Sequence, residues 1–148
     1  MQSTMNIVLV KIMTTKAMYY YSLSGKTSAL AESIKSSVVD LYKLNSINSK
    51  EFQFGNEEVI IIGSPTYGRG VPPMYFKQII GQLRALSDRK IGIFGSGNTI
   101  YGEDLFCGAT DVLEELLRDK NEIVFKYKFE GYPTEKNISE FKQLINNI

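Results

Sequence analysis

Four consecutive β-branched residues, Val59-Ile60-Ile61-Ile62, run without a polar break into Gly63-Ser64. A strand with one wet face alternates apolar and polar residues; an unbroken run has both faces buried. Strands of that kind belong to parallel sheets with helices packed on either side. The rest of the chain supplies those elements in turn. Strands are predicted over 17–22, 39–44, 58–63, 90–95 and 122–130. The last of these alternates, as an edge strand does. Helices are predicted over 25–37, 72–86, 104–118 and 135–148. Leu30, Ile34 and Val38 share one face of the first, and Pro72 and Pro73 stand at the start of the second, where a missing N–H does no harm. Leu105, Val112, Leu113, Leu116 and Leu117 are the apolar positions of the third, and Ile138, Phe141, Leu144 and Ile145 point inward from the fourth. Residues 45–56 are polar and loop-like. Strands alternating with helices, joined by right-handed crossovers, give an α/β doubly wound fold of three layers. Ile7-Val8-Leu9-Val10 also looks strand-like, yet another such run follows at once, so residues 1–15 are expected to extend ahead of the domain. One domain over 1–148 is expected.

Composition removes several function classes. Seventeen basic against sixteen acidic residues give a formal net charge of +1, and the lysines and arginines are scattered rather than gathered into the basic stripe of a nucleic-acid binder. The chain has no histidine, hence neither the usual general base near neutral pH nor the commonest metal ligand. Its single cysteine, Cys107, excludes an intramolecular disulfide and argues against a cysteine-rich metal site. Cys107 is read as a small buried residue on a helix. No apolar stretch has the length of a membrane span, and 5–13 lacks the features of a secretory signal. The cytoplasm is the expected compartment.

Three polar loops follow predicted strands, and in a doubly wound sheet such loops meet beyond the carboxyl ends of the strands, where ligands bind. The first is Ser22-Leu23-Ser24-Gly25-Lys26-Thr27. Gly25-Lys26-Thr27 matches the end of a nucleotide-triphosphate loop, but Tyr20 stands where that motif needs glycine, and no metal-binding aspartate follows the run ending at Ile62. Two readings stay open for it. In one, Ser22, Ser24 and Thr27 donate hydroxyls, and Gly25 to Thr27 donate backbone N–H groups, to an anion at a helix start. In the other, Ser22 or Ser24 simply caps the helix. The second loop, from Ser64 to Pro73, contains Tyr67, Gly68, Arg69 and Gly70; the third, from Gly95 to Glu103, contains Gly97, Asn98, Tyr101 and Gly102. Each offers glycines that let a backbone approach a flat ligand and one tyrosine to lie against it. Each is also an ordinary strand-to-helix connection. Together the three describe a planar, phosphate-bearing ligand.

From Lys16 to Ile148 the chain resembles the flavodoxin-like FMN proteins. SLSGKT is similar to that family's T/S-x-T-G-x-T phosphate loop, and SPTYGRG and FGSGNTIYGEDLFCGATD are similar to its two flavin loops. The resemblance implies a five-stranded parallel sheet of order 2-1-3-4-5 and FMN as cofactor. It implies that Ser22, Leu23, Ser24, Gly25, Lys26 and Thr27 surround the FMN phosphate. Pro65, Thr66, Tyr67, Gly68, Arg69 and Gly70 would then line one side of the flavin, with a peptide among the last four able to turn as the ring takes up a proton. Gly97, Asn98, Tyr101, Gly102 and Glu103 would line the other. No catalytic residue and no metal ligand are implied. The activity implied is electron transfer between a reductase and an acceptor enzyme. Within the family two groups compete. YYYSLSGKTSALAESI and LFCGATDVLEELL echo short-chain flavodoxins; PTYG, GNT-x-Tyr-Gly-Glu and KFEGYPTEKNI echo the NrdI-type flavoprotein that serves the manganese-dependent class Ib ribonucleotide reductase. The near-neutral charge departs from the acidic carriers and favours the second group. Lys26 stands where asparagine is frequent and adds a cation beside a phosphate. The same fold could also serve as a flavin-free binding module, or as a quinone reductase using NAD(P)H, for which no nicotinamide site is legible.

Overall fold

The computed structural model describes residues 15–22, 24–34, 38–45, 53–66, 75–98 and 107–148. Among these residues five strands, β1 (Lys16–Tyr21), β2 (Asp40–Leu44), β3 (Val59–Pro65), β4 (Lys90–Gly97) and β5 (Glu122–Glu130), form one parallel sheet in the order β2-β1-β3-β4-β5. The helices that accompany them are α1 (Lys26–Ala31), α2 (Tyr75–Ala85), α3 (Gly108–Leu117) and α4 (Glu135–Asn146). The strand order reverses beside β1, whose neighbours are β2 on one side and β3 on the other.

The period of two along each strand divides the core. Ala17, Tyr19, Ile60, Ile62, Ile91 and Ile93 face one side, where Ile79 and Leu83 of α2 and Leu113 and Leu117 of α3 cover them. Met18, Tyr20, Val59, Ile61 and Phe94 face the other, under Leu30 and Ala31 of α1 and Phe141 and Ile145 of α4. Every residue of β3 is buried, as its unbroken β-branched run requires. On the second face two glycines carry aromatic rings. A Cβ on Gly63 would stand 2.1 Å from the Phe94 ring, and one on Gly92 would stand 2.4 Å from the Phe125 ring. Phe141 closes this stack, 4.7 Å from Phe94 and 6.1 Å from Phe125 between ring centroids.

β5 is an edge strand, as its alternation implies. Its register with β4 slips between Ile91 and Gly92, which pair with Ile123 and Phe125. Val124 is therefore the extra residue of a bulge. Ile123 packs on the first core and Val124 and Phe125 on the second, so the bulge resets which side chains of β5 point inward.

Several elements differ in length from expectation; α4 ends at Asn146 rather than Ile148, and β2 starts at Asp40 rather than Val39. α1 ends at Ala31 rather than near Ser37, and Val38 is exposed rather than inward. The Ser33 hydroxyl donates to the Leu30 carbonyl at 2.6 Å, and Ser33 and Ile34 close tighter i→i+3 bonds to Leu30 and Ala31. A side chain that competes for a backbone carbonyl ends the helix there. Ile34 is buried all the same. β3 and β4 run two residues past their predicted ends, because Ser64 pairs with Gly95 and Pro65 with Ser96. Of α2 and α3 the predicted first residues, 72–74 and 104–106, lie outside the described residues, as do 1–14 and most of 45–56.

Candidate functional site

Because the strands are parallel, everything that follows a strand emerges at one edge of the sheet. Ser22 leaves β1 there, Thr66 leaves β3, Asn98 leaves β4 and Gly131 leaves β5. Contacts between distant parts of the chain tie this edge together. Thr27 Oγ1 and Ser96 Oγ share a buried hydrogen bond of 2.9 Å. The Thr66 N–H donates to the Ser96 carbonyl at 3.1 Å. Thr66 Oγ1 accepts from the Ala109 N–H at 3.1 Å, and so serves the start of α3. Tyr132, just past β5, donates from its hydroxyl to the Ser24 carbonyl at 2.8 Å.

Of the two roles open to the first loop, helix cap or ligand cradle, its geometry lacks the side-chain cap. Gly25, whose φ of 87° is left-handed, is the N-cap of α1, and no side chain among the described residues caps the helix. Neither Ser22 nor Ser24 therefore plays the capping role. The first backbone bond of the helix runs from the Ala29 N–H to the Gly25 carbonyl, so the N–H groups of Lys26, Thr27 and Ser28 precede the intrahelical ladder. Ser22 Oγ is buried and has no hydrogen-bond partner among the described residues. A buried hydroxyl of that kind costs about 1–3 kcal/mol unless something bonds to it. A phosphate oxygen is such a partner. The orphaned hydroxyl and the uncapped helix start are donors of the kind an anion takes, and Lys26 is the first residue of the helix.

The other predicted residues divide. Pro65 is buried as the last residue of β3, and Gly97 is the last residue of β4. A Cβ on Gly97 would meet the Cys107 backbone N at 2.8 Å and its Sγ at 2.9 Å. The missing side chain of Gly97 thus makes room for Cys107. Asn98 is exposed at the rim. Leu23, Tyr67, Gly68, Arg69, Gly70, Tyr101, Gly102 and Glu103 lie outside the described residues.

Cys107 is buried, as expected, but it precedes α3 rather than lying within it, in a left-handed conformation with φ of 52°. Its thiol donates toward the Gly95 and Phe129 carbonyls at 3.3 and 3.6 Å, bridging β4 and β5. Burial pushes the thiol up to about 12; the Phe129 contact and the Lys128 charge pull the other way, while the Asp111 and Glu130 charges add to the rise. It stays protonated at neutral pH and is no nucleophile.

Ser96 and Tyr132 were not among the residues expected at the site. Ser96 lies between Gly95 and Gly97, and its place in the third loop was the available signal. For Tyr132 the signal was an aromatic residue between Gly131 and Pro133, a turn pair that holds no apolar side chain inward. No helix among the described residues is long and apolar enough to cross a membrane.

Known proteins share this fold. The protein-family model described as flavodoxin matches residues 18–136, from the second residue of β1's buried run into α4. A probable flavodoxin 2 of Bacillus subtilis (strain 168) is 30% identical over 137 residues, covering 86% of this chain and 87% of that one. The crystal structure of oxidised flavodoxin 2 from Bacillus cereus superposes with a TM-score of 0.74 at 30% identity, over 90% of this chain and 99% of that one. A Fusobacterium nucleatum flavodoxin, solved bound to flavin mononucleotide, shares the fold with a TM-score of 0.61 at 17% identity over 91% of this chain and 94% of its own. The sheet order, the uncapped loop at its switch point and the match along most of the chain agree: this chain belongs to the flavodoxin family.

Proposed function

We propose that this protein carries electrons between a flavodoxin/ferredoxin-type reductase and an acceptor enzyme, holding FMN by its phosphate in the loop from Ser22 to Thr27. As a member of the flavodoxin family it is an FMN-binding electron-transfer protein that works with partner proteins. The observation that carries the site assignment is Ser22 Oγ, buried and without a partner among the described residues, beside a helix start that no side chain caps.

When bound, FMN supplies the redox chemistry, accepting and releasing electrons singly or in pairs. The chain supplies binding and surroundings. Ser22 donates its hydroxyl to a phosphate oxygen. The N–H groups at the start of α1 donate beside it, and Lys26 balances charge. Thr27 also donates if Ser96 gives its own proton to Thr27 Oγ1, a direction that the 2.9 Å contact permits. Thr66 spends an acceptor site on Ala109 and keeps its O–H for the flavin edge. Pro65 pairs with Ser96 at the ends of β3 and β4, so the second and third loops would leave the sheet side by side; Tyr67 to Gly70 and Asn98, Tyr101, Gly102 and Glu103 would then line the flavin as the family resemblance implies. The buried, protonated thiol fits a reducing compartment such as the cytoplasm. Service to a class Ib ribonucleotide reductase rests on echoes in the loop sequences, and no contact among the described residues favours it over the carrier.

The carrier reading is tested with FMN-loaded protein, NADPH, a flavodoxin/ferredoxin-type reductase and cytochrome c as acceptor. Cytochrome c reduction should require both the reductase and the protein, and the protein alone should not consume NADPH. Steady NADPH oxidation by the protein alone would make it a flavin enzyme instead.

A further inference from the structure

Tyr132 is conspicuous by its exposure. It is 63% accessible, so hydrophobic burial does not explain its placement. Yet its backbone is held from both sides. Gly131, with φ of 68°, turns the chain as it leaves β5. Pro133 fixes the next φ. Thr134 then starts α4 with a reciprocal capping box, its hydroxyl accepting from the Asn137 N–H at 3.2 Å while its own N–H donates to Asn137 Oδ1 at 3.0 Å. Asn137 in turn donates to the Tyr127 hydroxyl at 3.0 Å, anchoring the cap to β5. From this frame the Tyr132 hydroxyl reaches Ser24, 108 residues earlier, and its ring lies against Gly25, whose absent Cβ would be 3.9 Å from it.

The group it bonds is the one an anion site must turn away. A carbonyl oxygen facing a phosphate repels it, whereas an N–H attracts it. In a trans peptide the two point to opposite sides, so the Ser24 carbonyl and the Gly25 N–H cannot both face the ligand. We propose that Tyr132 is a positioning residue for the phosphate cradle: its bond to the Ser24 carbonyl draws that oxygen outward and thereby aims the Gly25 N–H at the anion. This rests on the reading of Ser22 to Thr27 as the FMN phosphate loop. It adds a residue from the far edge of the sheet to that loop and makes the turn between β5 and α4 part of the cofactor's binding strength.

The test is a titration of flavin-free protein with FMN and with riboflavin, which lacks the phosphate, for the parent and for Tyr132→Phe. The variant keeps the ring and removes the hydroxyl. FMN affinity should fall roughly five- to tenfold, the effect of one ordinary hydrogen bond, while riboflavin affinity stays unchanged. In the flavin-free variant the Gly25 amide 15N resonance should move, because the bond lost is to the carbonyl of its own peptide. An unmoved Gly25 resonance, unchanged FMN affinity, or an equal loss for both flavins would each remove this role from Tyr132 and leave the cradle standing. A parent protein that binds riboflavin as tightly as FMN would overturn the cradle itself, and this role with it.

Discussion

On the proposed reading, Ser22 carries a desolvation cost that bound FMN would relieve. Its buried hydroxyl has no partner among the described residues, so Ser22→Ala should leave the flavin-free protein as stable or up to about 1 kcal/mol more stable. The same change should weaken FMN binding about fivefold or more, since a charged partner makes the lost bond a strong one. Thermal melts with and without FMN check both halves, and a destabilised flavin-free variant would show that the hydroxyl is satisfied without a ligand. Cys107 behaves oppositely: its thiol is sealed between two strands and raised to about 12 by burial. A maleimide should label it at the rate of unfolding rather than as a free thiol. A folded thiol raised above its unfolded value holds its proton while the unfolded one loses it. Stability therefore falls as pH rises from about 8.5, the ordinary thiol value, toward 12. Ser22 was legible as a hydroxyl in a turn after a strand. The partners of Thr27 and Ser24 were not, because they lie 69 and 108 residues away and only the folded sheet brings them near.

At the scale of elements, local chemistry told most where it was strongest. β5 has the bounds its alternation gave it, and α4 starts at Glu135 as predicted, behind a Thr134 cap. α1 is shorter than its apolar spacing implied because Ser33 claims the Leu30 carbonyl, a competition that spacing does not register. The bulge at Val124 was likewise not read, because the apolar run Ile123-Val124-Phe125 that breaks the alternation does not by itself tell a bulge from a locally two-sided burial. Gly63 and Gly92 look like strand breakers, yet each makes room for a phenylalanine on the neighbouring strand. Gly63→Ala would press a methyl into the fully buried Phe94 ring, which cannot swing away because Phe141 lies over it. It should cost about 1–3 kcal/mol by urea unfolding. A neutral result would show that the ring can move.

For the whole molecule, the two-sided core was contained in Val59 to Ile62: two of the four isoleucine and valine side chains join each core, and helices cover both. Alternating strands and helices gave the class of fold. The order of the strands came from family resemblance, because crossovers of similar length permit several orders. The convergence of the three loops follows from that order, which sets β1 next to β3 and β4 next to β3, so that the ends of all three strands share one edge. Along that edge lie a helix start without a side-chain cap and a buried hydroxyl without a partner among the described residues, and an exposed tyrosine bonded to the Ser24 carbonyl.

The most direct measurement is flavin retention. Flavin-free protein is mixed with excess FMN, or in parallel with excess riboflavin, desalted, and its absorption spectrum recorded. A phosphate cradle at the end of β1 predicts a yellow protein with one FMN per chain and loss of the riboflavin. A colourless protein, or equal retention of both flavins, would contradict it.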